Sequence, residues 1–278
     1  MRHPRLTSAA GNRPVGSRTP LVAVAHGSRD PRAAATVNEL LALVRYRAVA
    51  WGLRGLSVRA AFLDHCAPSL PQALSATAGD GDGDRACVVL PLLLTAAYHS
   101  KADIPAKIAA ASTAGLDVSC ADTLGPHPLL LAALERRLAE SGVAAGDPAA
   151  RSRTSVVLAA AGSSDPEANA TIASLAARWQ AMRGWHAVLP AYASAAGPRP
   201  DAAVRELLAG GAPGPVVVAT YLLAPGYFAD KISAAGLGAG AAAVSPALGA
   251  APEIADVVLE RYLAAVRAEL CAPRLARA

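Results

Sequence analysis

The chain has 278 residues, enough for two ordinary domains or one large one, and its 53% hydrophobic content supplies material for buried cores. Its net charge of +5 does not mark a nucleic-acid surface. Arg2, Arg5, Arg13 and Arg18 fall in the first 20 residues with no acid beside them, leaving +1 for the other 258, and 4% aromatic content gives no stacking platform for single strands.

Residues 1–20 also carry Pro4, Gly11, Pro14, Gly16 and Pro20 without the apolar run of a secretory signal, and read as a disordered basic leader. No later stretch has the roughly 18 uninterrupted apolar residues that a membrane span needs. Cys66, Cys87, Cys120 and Cys271 form no C-x-x-C pair, so the expectation is buried thiols in a reducing cytoplasm rather than a zinc ribbon or an iron–sulfur cluster.

The first predicted strand, residues 21–25, runs into His26-Gly-Ser-Arg-Asp-Pro31 and then a helix in which Val37, Leu40, Leu41 and Val44 keep helical spacing. A short strand at residues 60–63 leads through Asp64 and a Pro-bearing loop to a helix near residues 70–76. The third strand, residues 87–94, ends in Thr95-Ala-Ala-Tyr-His99, and Leu124-Gly-Pro-His-Pro128 opens another helix anchored by Leu130, Leu134 and Leu138.

The same plan then returns. Residues 156–160 precede Ala161-Gly-Ser-Ser-Asp-Pro166, and Ile172, Leu175, Ala176 and Trp179 repeat the helical anchors at an offset of 135. Residues 189–193, residues 216–223 with Tyr227 and Phe228 beyond them, and Leu248-Gly-Ala-Ala-Pro252 followed by Ile254, Val258 and Tyr262 complete the second copy. Asp before Pro is the N-cap and first-turn pairing that starts a helix. Apolar strands alternating with amphipathic helices predict parallel sheets covered on both faces. The expected architecture is α/β: a first lobe at 21–141 carrying the active site and a repeat lobe at 155–270 with a degenerate one.

The duplication acts as an internal control, because scaffold residues match while site residues diverge. His26 stands opposite Ala161, Asp64 opposite Ser194, His99 opposite Phe228 and His127 opposite Ala251. All four first-copy residues fall in loops after strands, where such sheets bind ligands. His65 diverges too, to Ala195, but as the neighbour of Asp64 it is expected to point the other way. Two imidazoles and a carboxylate with open positions suit a borderline ion such as Fe²⁺ or Co²⁺ in transit, or acid–base work with no metal.

Other patterns are weaker. Asp80-Gly-Asp-Gly-Asp84 lacks the turn glycine and the bidentate Glu of a calcium loop, and reads as a solvated turn. Gly236-Leu-Gly-Ala-Gly-Ala241 follows no strand directly and reads as a flexible loop rather than a dinucleotide turn.

The segments His26-Gly-Ser-Arg-Asp-Pro31, Phe62-Leu-Asp64 and Pro91-Leu-Leu-Leu-Thr-Ala-Ala-Tyr-His-Ser-Lys-Ala-Asp-Ile-Pro105 together resemble those of the sirohydrochlorin chelatases, a class II chelatase family, over nearly everything from Leu21 to Leu263. The resemblance implies two tandem flavodoxin-like, doubly wound lobes facing a cleft. It implies a lyase that inserts Fe²⁺ or Co²⁺ into sirohydrochlorin without ATP, for sirohaem or cobalamin, iron being placed before cobalt. The metal is substrate, and no cofactor is permanently bound.

By the same resemblance His26 and His99 handle the metal, with Asp64 where many members have Glu, and these three are the expected catalytic residues. Ser28, Arg29, Lys101 and His127 are the expected substrate-binding residues, and Tyr221, Tyr227 and Phe228 face an aromatic ring from the second lobe. The partner is the tetrapyrrole alone, without nucleic acid or membrane, and a monomer or homodimer fits the duplication. A tetrapyrrole or metal carrier without turnover, and a metal-free lyase or hydrolase, remain as alternatives.

Overall fold

A computed structural model describes residues 19–79, 86–95, 104–111 and 116–271. The first half runs β1 (Leu21–Ala25), α1 (Pro31–Ala48), β2 (Val58–Phe62), α2 (Leu70–Gly79), β3 (Ala86–Pro91), α3 (Ile104–Ala111), β4 (Asp117–Cys120) and α4 (Pro128–Glu140). After a short α5 (Pro148–Arg151), the second half repeats it as β5 (Ser155–Ala160), α6 (Pro166–Arg183), β6 (Ala187–Tyr192), α7 (Pro200–Ala209), β7 (Val216–Tyr221), α8 (Tyr227–Gly238), β8 (Ala243–Val244) and α9 (Pro252–Cys271).

Each half forms a parallel four-stranded sheet, ordered β2-β1-β3-β4 and β6-β5-β7-β8, the flavodoxin-like arrangement with its switch point between the first and third strands. Every residue of β1, β5 and β7 is buried, because helices cover both sheet faces and leave no polar side to alternate with. Asp30 and Asp165 cap α1 and α6, their carboxylates accepting the Arg32 and Glu167 N–H groups at 2.9 and 3.0 Å, with proline next in line.

The last helix of each half crosses to the other half's sheet. Helix α9 lies against α1, β3 and β4, and α4 lies against β7. Polar ties follow the exchange: Arg47 on α1 makes two hydrogen bonds to Asp256, Tyr262 donates to the Thr19 carbonyl at 2.8 Å, and Glu135 on α4 accepts from Trp179 and Arg183 on α6 at 2.9 and 2.8 Å. Where α4 meets α9, Arg136 donates to Glu253. Burial alone would push the Glu253 carboxyl up, but these hydrogen bonds hold it below its ordinary range. The inner faces of both sheets and the exchanged helices therefore share one central core, running from Leu21 and Leu134 to Trp179 and Tyr262, while smaller outer cores lie under α2 with α3 and under α7 with α8.

Several expectations are corrected. Gly236 is not in a loop: it is buried in α8, where an added Cβ would come 2.9 Å from a methyl of Val218, so the glycine lets helix and sheet approach closely. Of the cysteines expected to be buried, Cys87 is; Cys66 is half-buried and Cys120 exposed on the edge strand β4. The sequence Asp80–Asp84 lies outside the described residues. Among the described residues no helix is long and apolar enough to cross a membrane.

Candidate functional site

A cavity of about 730 Å³ opens between the two sheets at their carboxyl ends, within the size range of small-molecule sites. Val37, Phe62, Leu92 and Ile172 make its apolar interior, and loops from both halves make its rim.

His26 stands one residue beyond β1 and lines this cavity with Ser28 and Arg29. Beyond the strands the ladder continues: Leu63 donates to the Ala25 carbonyl at 3.0 Å and Asp64 N–H to the His26 carbonyl at 2.9 Å. Gly27 makes the close crossing possible. Its φ is +91°, and a Cβ there would fall 1.8 Å from the Asp64 carbonyl oxygen. The turn is completed by Ser28, whose hydroxyl accepts the Asp30 N–H at 3.0 Å and whose carbonyl accepts the Cys66 thiol at 3.1 Å.

The second half repeats this scaffold without the chemistry. Gly162 has φ +84° and faces the Ser194 carbonyl as Gly27 faces that of Asp64, Ser163 accepts the Asp165 N–H at 3.0 Å, and Ala161 occupies the place of His26. The opposite wall presents Tyr227 and Phe228, packed edge to face with centroids 5.4 Å apart; Tyr227 is 72% exposed. Arg32 ties this wall to the first, bridging Asp30 and Asp230 at 2.6 Å each. Its hydrogen bonds lower the Asp30 carboxyl and raise the guanidinium in turn. Tyr221 is not an open aromatic face: it is buried, donates to the Leu94 carbonyl at 3.2 Å, and burial pushes its phenol up, keeping it neutral.

Ser28, Arg29 and His26 thus share the cavity, whereas His127 stands apart from its lining. His127 caps α4, its Nδ1 accepting the Leu129 N–H at 3.2 Å, and its Nε2 lies 3.0 Å from a Glu260 carboxylate oxygen on α9. That is a helix-anchoring role, and its position before Pro128 matches the capping positions of Asp30 and Asp165. Asp64 is exposed and absent from the cavity lining, and its neighbour His65 is present. His65 has φ +62°, and its counterpart Ala195 φ +57°. His99 and Lys101 lie outside the described residues, and among the described residues no group of three or more His, Cys, Asp or Glu is placed to hold a metal ion.

The CbiX family profile matches residues 20–141 and, separately, 155–265. The sirohydrochlorin cobaltochelatase of Priestia megaterium is 29% identical over 211 residues; the match covers 75% of this chain and 65% of the relative, so the chain spans slightly under two thirds of that protein's length. Among solved structures, SirB from Bacillus subtilis with Fe³⁺ has 24% identity and a TM-score of 0.74, covering 91% of this chain and 98% of that one. SirB from Bacillus subtilis subspecies spizizenii in complex with cobalt follows at 22% and 0.69, covering 90% and 95%. CbiX, the terminal enzyme for biosynthesis of siroheme in denitrifying bacteria, has 20% identity and a TM-score of 0.60, covering 89% and 99%. The two profile matches fall on the two halves whose loops enclose the cavity, and the chain belongs to the CbiX family.

Proposed function

We propose that this protein is a lyase that inserts a divalent metal, Fe²⁺ or Co²⁺, into sirohydrochlorin without ATP. One observation carries the reading: a single cavity of about 730 Å³ has imidazole on its first-half wall and an exposed aromatic pair on the other. A planar macrocycle lying face-on to one ring of this inclined pair and edge-on to the other turns its free face toward His26.

Insertion breaks two pyrrole N–H bonds. Their protons leave to bases at the cavity or to water, and the electron pairs left on nitrogen bind the ion. His26, with His99 as the resemblance implies, presents the ion through borderline imidazole donors that bind it and release it; the carboxylate the resemblance adds, Asp64, stands outside the cavity lining. Ser28, Arg29 and Lys101 meet the acidic arms of the substrate; the Arg29 guanidinium is suited to paired contact with a carboxylate. The names of relatives carry both metals, cobalt for the Priestia megaterium enzyme and Fe³⁺ or cobalt for the solved SirB proteins.

The test mixes purified protein with anaerobic sirohydrochlorin and Fe²⁺ or Co²⁺ and follows the absorbance change. Acceleration over the protein-free mixture, reduced on the order of a hundredfold or more in His26→Ala and in His99→Ala, is expected. No acceleration with either metal refutes the reading. Stoichiometric retention of pigment or metal without turnover would instead assign a carrier.

A further inference from the structure

We propose that His65 is a donor to the metal in transit, sharing the cavity lining with His26 where residue order alone puts Asp64. The inference rests on the metal-insertion reading of the same cavity. Three observations lead to it. The ladder bond from Asp64 N–H to the His26 carbonyl brings the loop after β2 alongside the loop after β1. In an extended chain neighbouring side chains alternate between faces, but the left-handed backbone at His65, φ +62°, breaks that alternation. Of the two neighbours it is His65 that lines the cavity with His26, while Asp64 does not.

The twin loop shows that this backbone is not a demand of the histidine. Ala195 holds the same conformation, φ +57°, so the turn belongs to the scaffold and the imidazole is what the first half alone adds. Two imidazoles form a set of borderline donors for Fe²⁺ or Co²⁺ and leave positions open for water and for the macrocycle. In the step itself a ring-nitrogen lone pair of His65 replaces a water on the hydrated ion. That coordinate bond then breaks as a pyrrole nitrogen, its proton passed to a base at the cavity or to water, takes up the same position. No electron is transferred to or from the metal.

The test is Co²⁺ alone, titrated into the full chain and followed by the visible bands of the bound ion, whose positions report nitrogen against oxygen donors. Comparison is made among wild type, His65→Ala, His65→Asn, His26→Ala and, as a control on the far surface, His186→Ala. Ala195 shows that alanine is accepted in this backbone, and asparagine is among the residues that tolerate it best, so both substitutions at position 65 keep the loop. Expected are Co²⁺ affinities on the order of tenfold weaker in both His65 variants, with shifted bands, and no change in His186→Ala. Wild-type affinity and bands in both His65 variants overturn the proposal. The outcome is separable from that of the chelatase reading. A His65-dependent Co²⁺ site without sirohydrochlorin turnover refutes only the enzyme, and turnover with His65-independent Co²⁺ binding refutes only this donor.

Discussion

Gly27→Ala puts one methyl group where the site's two loops cross. Two costs apply. The first is conformational: at φ +91° an alanine pays about 1 kcal/mol relative to glycine. The second is steric, since the new Cβ would fall 1.8 Å from the Asp64 carbonyl oxygen, a backbone atom that moves only with its loop; forced overpacking of this kind costs about 1–3 kcal/mol. Together they come to about 2–4 kcal/mol. Gly52→Ala isolates the first cost, because its φ is +78° and nothing lies within 4 Å of the added Cβ, so about 1 kcal/mol is expected. Gly162→Ala repeats both costs in the second half, with the Ser194 carbonyl at 2.0 Å, but moves no histidine. Urea unfolding at constant m measures all three, and metal insertion is assayed on each. Gly27→Ala and Gly162→Ala should be destabilised alike, with activity lost chiefly in the first. A Gly27→Ala protein within about 0.5 kcal/mol of Gly52→Ala would refute the steric argument.

Two further predictions concern the exchanged helices. The Glu253 carboxyl is held below its ordinary range in the folded protein, so its pairing with Arg136 contributes stability above the unfolded carboxyl value and loses it as pH falls through the folded one. Glu253→Gln should cost up to about 1 kcal/mol near neutrality and should flatten the loss of stability below about pH 5, measured by urea midpoints across pH; identical pH slopes would contradict this. A chain ending at Ala251 loses Ile254, Val257, Val258, Leu259 and Tyr262 from the central core. It should bind a hydrophobic dye and lose near-ultraviolet dichroism, and a truncated chain with native dichroism would count against the exchange.

The strands that anchor the sheets were legible because β1, β3, β5 and β7 are apolar runs bounded by turn residues. Strands β4 and β8 were not, since four residues of mixed polarity and an isolated Ala-Val pair at a sheet edge give no periodic signal. The anchors Leu130, Leu134 and Leu138 marked a buried helix face correctly, but periodicity states that a face is covered and not which sheet covers it, so the helix exchange stayed hidden. At the site, the divergence of His26 from Ala161 pointed to a residue that does line the cavity. His65 was set aside because alternation assumes extended backbone, which a left-handed residue interrupts. The capping role of His127 was legible in principle, from the X-Pro pattern it shares with Asp30 and Asp165.

The crossing of α4 and α9 bears on how any ligand reaches the cavity. Two lobes joined by a simple linker can swing apart like covers on a spine. Here each cover is fastened to the other by its own last helix, and swinging them open would tear the packed interior that carries Trp179 and Tyr262. Admission therefore belongs to the rim, to the described loops and the Arg32–Asp230 clasp on the surface, while the distance between the two walls is set by the interior.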